Sequence, residues 1–179
     1  DGTNGIFTAD LDIIGDCSIK AVLTDKNGNI VAESSEKNIS WTIENANPWS
    51  AEIPDLYTFT VILEDENGNV IEVSRTKTGF RRFELIDGIM CLNGKRIVFK
   101  GVNRHEFSSV SGRHVSEEEL RKDLRIMKQN NINAIRTCHY PNSYYLYDLC
   151  DIYGMYLIDE TDLECHGFEL TGNYSWISD

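Results

Sequence analysis

The run from Asn133 to Glu160, NAIRTCHYPNSYYLYDLCDIYGMYLIDE, constrains the fold of this chain more than any other stretch. An apolar strand delivers Arg136 and His139 to its end, Pro141 opens a helix, Gly154 closes it, and a second apolar strand runs into Asp159 and Glu160. That order is a β-α-β unit whose polar residues gather at the strand ends. In parallel α/β architectures the carboxyl ends of strands carry the chemistry, because loops from several strands converge there on one pocket. The run therefore predicts a site together with a fold.

The residues before it extend the pattern. RIVFKGV, from Arg96 to Val102, reads as a near-continuous apolar strand, and Asn103, Arg104, His105 and Glu106 follow at once. Ser116 is expected to cap a helix, with Glu119 three residues on completing a capping box and Glu117 and Glu118 favouring the positive end of the dipole. Leu120, Leu124 and Met127 supply that helix's buried stripe, and Asn130-Asn131 ends it. A strand carrying Ile132, Ala134 and Ile135 comes next. The following helix buries Leu146, Leu149, Cys150 and Tyr153, spaced i, i+3, i+4 and i+7, and stops at Gly154; the third strand is Met155 to Ile158. Three parallel strands and two helices cannot close a barrel, and an open third strand leaves unpaired backbone groups. The second half is therefore either a small open α/β domain or the first part of something larger.

Residues 1–78 read as β throughout. Ile19, Ala21 and Leu23 alternate with polar neighbours, as do Tyr57, Phe59 and Val61, so each segment is a half-buried strand. Asn27-Gly28 and Asn67-Gly68 predict type I′ hairpins, in which both central residues take positive φ. Their similar surroundings reflect shared turn chemistry, and short strands with regular turns point to an immunoglobulin-like antiparallel β-sandwich. Residues 79–95 read as a connecting hairpin turning at Asn93-Gly94. The expected organisation is a sandwich over 1–79 and an α/β domain over 80–179.

Composition excludes several classes. With 41% hydrophobic and 26% charged residues the chain is ordinarily globular, and a net charge of −12 argues against nucleic acid, which needs a basic footprint. No apolar run approaches the roughly 20 residues of a membrane helix, and no signal peptide is visible at the start. Five widely spread cysteines, an odd number, suggest a reducing, cytoplasmic setting.

His105, His139 and His166 each follow one of the three successive strands, which would place them on one rim with Arg136, Asp159, Glu160, Asp162 and Glu164. Each alone could equally be a hydrogen-bonded structural histidine; the set favours function. Cys138-His139 and Cys165-His166 raise a zinc site, but neighbours on an extended backbone point to opposite faces and C-x₂-C spacing is absent, so no metal site is expected. Nothing beside Cys138 or Cys165 specifies thiolate activation, and both read as packing residues. The DKNGN and DENGN turns lack the glycine position and flanking helices of calcium loops. Glycoside hydrolysis needs two carboxyls about 5–5.5 Å apart across the sugar in its retaining form, and neighbouring acids on one strand point apart, so Asp159, Glu160, Asp162 and Glu164 are expected to support rather than react.

With these residues in view, the chain resembles the glycoside hydrolase family that contains bacterial β-galactosidases and β-glucuronidases. The resemblance runs through Asn133-Ala134-Ile135-Arg136-Thr137-Cys138-His139-Tyr140-Pro141, Leu146-Tyr147, Asp151 and Gly154 to Ile158. Pro48-Trp49-Ser50, Pro54 to Tyr57, Gly79-Phe80-Arg81 and Gly101 to Glu106 match further motifs in order. Glu164-Cys165-His166-Gly167 resembles the β-galactosidase branch. The resemblance implies an immunoglobulin-like sandwich followed by the opening strands of a (β/α)₈ TIM barrel, in a fragment of a retaining enzyme that hydrolyses terminal β-D-galactosides. It implies that both catalytic glutamates lie in later segments, since the acid/base glutamate follows an Asn-Glu pair that does not occur after Ile158. No catalytic residue is then carried here. His139 and His166 would donate hydrogen bonds to galactose hydroxyls, and Arg136 would hold the nucleophilic carboxylate ionised. Asn103, His105 and Glu106 would lie near the same rim, as sugar contacts or as loop scaffold. The fragment is expected to bind no cofactor, with Mg²⁺ held by later segments of a homo-oligomeric parent. A β-glucuronidase fragment and a non-catalytic carbohydrate-binding module are the alternative readings.

Overall fold

The structure is a computed structural model and describes residues 3–163. The chain divides into two compact units, Asp1–Val98 and Phe99–Asp179.

In the first unit, β1 (Gly5–Asp10) pairs antiparallel with β4 (Asn38–Ile43), while β2 (Ser18–Thr24), β3 (Ile30–Ser34), β5 (Tyr57–Glu64) and β6 (Val70–Thr78) form a four-stranded sheet in the order β3-β2-β5-β6. Ile39 and Ile43 from the smaller sheet pack with Ala21, Leu23, Tyr57, Phe59 and Val61 from the larger one. These are the alternating positions read from the sequence, because successive side chains on a strand face opposite ways. Phe7 stacks on Trp41 at 5.6 Å between ring centroids and meets Phe59 at 4.8 Å, joining the two sheets through aromatic contacts. A leucine as enclosed as Leu23, with no exposed surface, stabilises the fold by about 2 kcal/mol.

The β2–β3 and β5–β6 turns differ from the expected type I′ form. Only Gly28 (φ 86°) and Gly68 (φ 80°) are left-handed; Asn27 and Asn67 are not. The cause is the aspartate ahead of each. Asp25 Oδ1 accepts the backbone N–H groups of Asn27 and Asn29 at 2.8 and 2.9 Å, and Asp65 does the same for Asn67 and Asn69. Each carboxylate organises a longer loop in which glycine alone needs positive φ. Hydrogen bonding to the following asparagines also holds both aspartate carboxyls below their ordinary pKa.

A three-stranded meander follows: β7 (Phe83–Ile86), β8 (Ile89–Leu92) and β9 (Lys95–Arg96). Here the tight turns do form. Asn93 and Gly94 take φ 52° and 75°, and Asp87 and Gly88, a turn not anticipated, take 50° and 77°. The compact division falls after this meander, at Val98.

The second unit holds β10 (Gly101–Arg104), α1 (Glu117–Gln129), β11 (Ala134–Thr137), α2 (Tyr144–Tyr153) and β12 (Tyr156–Ile158), with the strands parallel in the order β10-β11-β12. The expected β-α-β-α-β order is observed, but the first strand begins at Gly101 rather than Arg96. Val98 is 54% exposed, so the apolar run is not buried on both faces as a central parallel strand would be. Asn133 then fastens the start of the pairing, its Oδ1 accepting from Lys100 N at 2.7 Å and its N–H donating to Lys100 O at 2.9 Å.

Helix α1 carries the full capping box at Ser116 and Glu119, and buries Leu120 and Leu124 completely. They pack with Ile135, Leu146, Leu149, Cys150 and Met155 in one core beneath the sheet. Helix α2 ends on Gly154 in the left-handed region, φ 72°, whose N–H returns to Cys150 O. Its N-terminal residue Ser143 makes no side-chain cap of its own. Among the described residues no helix is long and apolar enough to cross a membrane.

Candidate functional site

Parallel pairing sets Asn103 beside Arg136 and Arg136 beside Ile158, so the polar residues past each strand end arrive at one rim. Glu160 lies at its centre. Arg136 Nε donates to Glu160 Oε1, and His139 Nδ1 lies 2.9 Å from Oε2, so one carboxylate fixes both side chains. Arg136 Nη1 also reaches Asn103 Oδ1 at 3.4 Å. Burial alone would raise the Glu160 carboxyl, but hydrogen bonds from His139 and Arg136 outweigh it and the net shift is downward. Glu160 therefore stays an anion and an acceptor. The shorter of the two contacts to His139 Nδ1, that of Glu160, assigns the Nδ1 proton, which leaves Nε2 with its lone pair in the neutral ring. With 38% of the Arg136 side chain and 35% of the His139 side chain exposed, the clamp opens to solvent.

His105 stands against this cluster, its ring 5.5 Å from that of His139 at 78° and 6.1 Å from Tyr140. Cys138 and His139 lie in the turn after β11, not on extended backbone, so the expectation that they face opposite ways does not hold. One ligand atom each from His105, Cys138 and His139 fall within 4.8 Å of one another.

Glu106 is engaged elsewhere. Its carboxylate accepts the Ser143 N–H at 3.0 Å and the Ser143 hydroxyl at 2.8 Å, while its own N–H donates to Tyr140 Oη at 3.1 Å. It thus serves the positive end of α2 from a different strand. Asp159 accepts from Thr137 Oγ1 at 3.2 Å and Tyr147 Oη at 2.9 Å, and Thr137 Oγ1 in turn accepts the Glu160 N–H at 3.0 Å. This chain of bonds sets where Glu160 begins. Burial first, then the bond to Asp159, pushes the Tyr147 phenol up. Arg104, 8% exposed, pairs with Asp123 at 3.0 Å and meets Asn142 at 3.4 Å, bracing the strand end from below the rim. Cys150, pushed up to about 12 by burial, is an inert packing thiol. His166, Glu164 and Cys165 lie outside the described residues.

The structure thus brings together Asn103, His105, Arg136 and His139, and separates Glu106 from them in role. The central position of Glu160 and the bracing by Tyr140 and Arg104 were not legible as such. Their signal is the parallel register, because only the pairing of Arg136 with Ile158 places Glu160 within reach of Arg136 and His139.

Residues 83–178 match the model of the glycosyl hydrolases family 2 TIM barrel domain, and residues 6–81 match a second glycosyl hydrolases family 2 domain. The chain is 49% identical to a β-galactosidase of Clostridium acetobutylicum over 93% of its own length and 20% of that protein. It is 52% identical to a β-galactosidase of Halalkalibacterium halodurans over 83% of its length and 15% of that protein. Among solved structures it resembles a β-glucuronidase from Ruminococcus gnavus in complex with D-glucuronic acid, with a TM-score of 0.80 and 28% identity, over 90% of this chain and 28% of the other. The chain spans about a fifth or less of the curated relatives it matches.

Proposed function

This chain belongs to glycosyl hydrolases family 2, as a sandwich followed by the opening strands of a TIM barrel, and from that premise we propose that it is part of a longer retaining β-galactosidase acting on terminal β-D-galactosides. The observation that carries the reading is the 49–52% identity to β-galactosidases over most of the chain, against 28% to the β-glucuronidase.

In this reading the rim is one wall of the sugar pocket. His139, oriented through Nδ1 by Glu160, presents Nε2 to a sugar hydroxyl, as an acceptor when neutral and as a donor when protonated. His166 is proposed as a second sugar contact. Arg136 spends Nε on Glu160 and keeps guanidinium donors for the nucleophilic carboxylate of a later segment, which its charge holds ionised. Fixing both side chains before substrate arrives removes reorganisation from the reacting step. The chain supplies no Asn-Glu after Ile158, so it is proposed to be inactive by itself.

The test is to assay this chain and its full-length parent on aryl β-galactosides and aryl β-glucuronides. The expected result is galactoside turnover by the parent and none by the chain. Preference of the parent for the glucuronide would favour the second reading, a β-glucuronidase, which the structural likeness supports. Turnover by the chain alone would overturn the division of labour.

A further inference from the structure

Resting on the β-galactosidase reading above, we propose that Phe107 is a specificity-determining residue of that site: a fixed aromatic platform for the leaving group from which the galactosyl unit parts. Burial alternates along the segment that runs out of β10. Arg104 and Ser108 are buried, Glu106 between them is half-buried, and His105 and Phe107 are exposed. A period of two puts alternate side chains on one face, so His105 and Phe107 share the face opposite Glu106. On that face the His105 ring meets the His139 ring at 5.5 Å. Two residues of extended chain cover about 7 Å, so Phe107 stands about one sugar unit beyond the imidazoles.

Phe107 is 64% exposed, yet the backbone that carries it is fastened on both sides. Ahead of it, Glu106 is tied to the N-cap of α2 through Ser143 and donates its own N–H to Tyr140 Oη. Behind it, the Ser108 hydroxyl donates to Glu119 of α1 at 2.6 Å, and Ser108 and Gly112 exchange backbone bonds at 2.7 and 3.0 Å. A single apolar side chain on a surface is ordinary. What distinguishes this one is its anchoring to two helices, two residues from the rim: little backbone freedom is lost when a ligand seats on it.

The chemistry of the ring limits what it can hold. A phenyl group offers no hydrogen-bond donor or acceptor, so it adds nothing to the reading of galactose hydroxyls, which falls to His139. It takes a flat apolar surface: the ring of an aryl leaving group or the C–H face of a second sugar. Binding energy from a part of the substrate that does not react raises kcat/KM for the substrates that carry that part, and does nothing for those that lack it.

The test measures kcat/KM for the full-length parent, as wild type, Phe107→Ala and Phe107→Trp, on para-nitrophenyl β-D-galactoside, lactose and β-D-galactosyl fluoride. The fluoride leaving group has no face to stack, so its hydrolysis reports the galactosyl site and the folding of each variant. Phe107→Ala should lower the aryl galactoside or lactose value by about 3–10-fold and leave the fluoride value unchanged, and Phe107→Trp should keep the wild-type ratio. A fall on the aryl galactoside alone assigns the platform to an aryl leaving group, and a fall on lactose to a sugar; either supports it. An equal fall on all three substrates, or no fall on either larger one, in a parent that hydrolyses galactosides would overturn this proposal alone. No turnover of any galactoside by the wild-type parent would overturn the reading beneath it, and the proposal with it.

Discussion

Glu106 caps helix α2 through its N-cap residue Ser143: one carboxylate oxygen accepts the serine N–H at 3.0 Å and the other its hydroxyl at 2.8 Å. The helix has no cap from its own Ser143 side chain, so the acceptor comes from the end of a neighbouring strand. Glu106→Ala should therefore destabilise the chain by about 1 kcal/mol, a fall in Tm of about 2–4 °C. Glu106→Gln, which keeps an acceptor but no charge, should recover part of the loss. An unchanged denaturant midpoint for the alanine variant would show that the contact contributes nothing.

Asp123→Ala should cost more. It leaves the Arg104 side chain, 7% exposed, hydrogen-bonded to Asn142 at 3.4 Å without the Asp123 carboxylate. Removing one member of a fully buried pair costs about 3–5 kcal/mol; with Asp123 44% exposed we expect about 2 kcal/mol. The double variant Arg104→Met, Asp123→Ala should recover part of that, because no charge is then stranded. Equilibrium urea unfolding of the two variants beside the wild type gives the comparison, and a double variant no more stable than Asp123→Ala would refute it.

Gly101 on β10 lies opposite Ala134 of β11 in the parallel register. A Cβ there would stand 2.9 Å from Ala134 Cβ and 3.0 Å from the Ala134 carbonyl oxygen, and backbone cannot swing aside as a flexible side chain can. Gly101→Ala is expected to lose about 1–3 kcal/mol despite the usual gain in strand propensity, and Gly101→Val more. A stabilised alanine variant in thermal melts would count against the close approach.

Glu119 should make stability depend on acid. The Ser108 hydroxyl first, then the Ser116 backbone and hydroxyl, lower its carboxyl from 4.5 to about 2. A folded-state pKa below the unfolded one means the contribution is present above about 4.5 and is lost as pH falls toward about 2. Urea midpoints measured from pH 6 to 2.5 should therefore fall more steeply for the wild type than for Glu119→Gln. Parallel curves would mean that the carboxylate is not held by the two serines.

Local grammar was most legible where one residue's backbone need had one solution. The capping box at Ser116, the left-handed stop at Gly154 and the Asn93-Gly94 turn all formed as read, because each depends on atoms within a few residues. Asn27-Gly28 and Asn67-Gly68 carry the same turn dipeptide yet formed differently, since Asp25 and Asp65 capture the backbone N–H groups that follow. The first strand of the parallel sheet began later than its apolar run, because burial on both faces is a property of neighbours.

By itself the sequence determined the order of elements, the alternating core of the sandwich, and the delivery of Asn103, His105, Arg136 and His139 to strand ends. Hydrophobic period and cap chemistry act over short separations, so the linear order carries them. The tertiary structure alone decided that Glu160 would hold Arg136 and His139 together, that Glu106 would turn to the α2 terminus, and that Cys138 would come within reach of two imidazoles. Those relations need the register of three parallel strands and the turn after β11, and a side-chain contact of a few ångströms exists only once non-local pairing has set both partners in space.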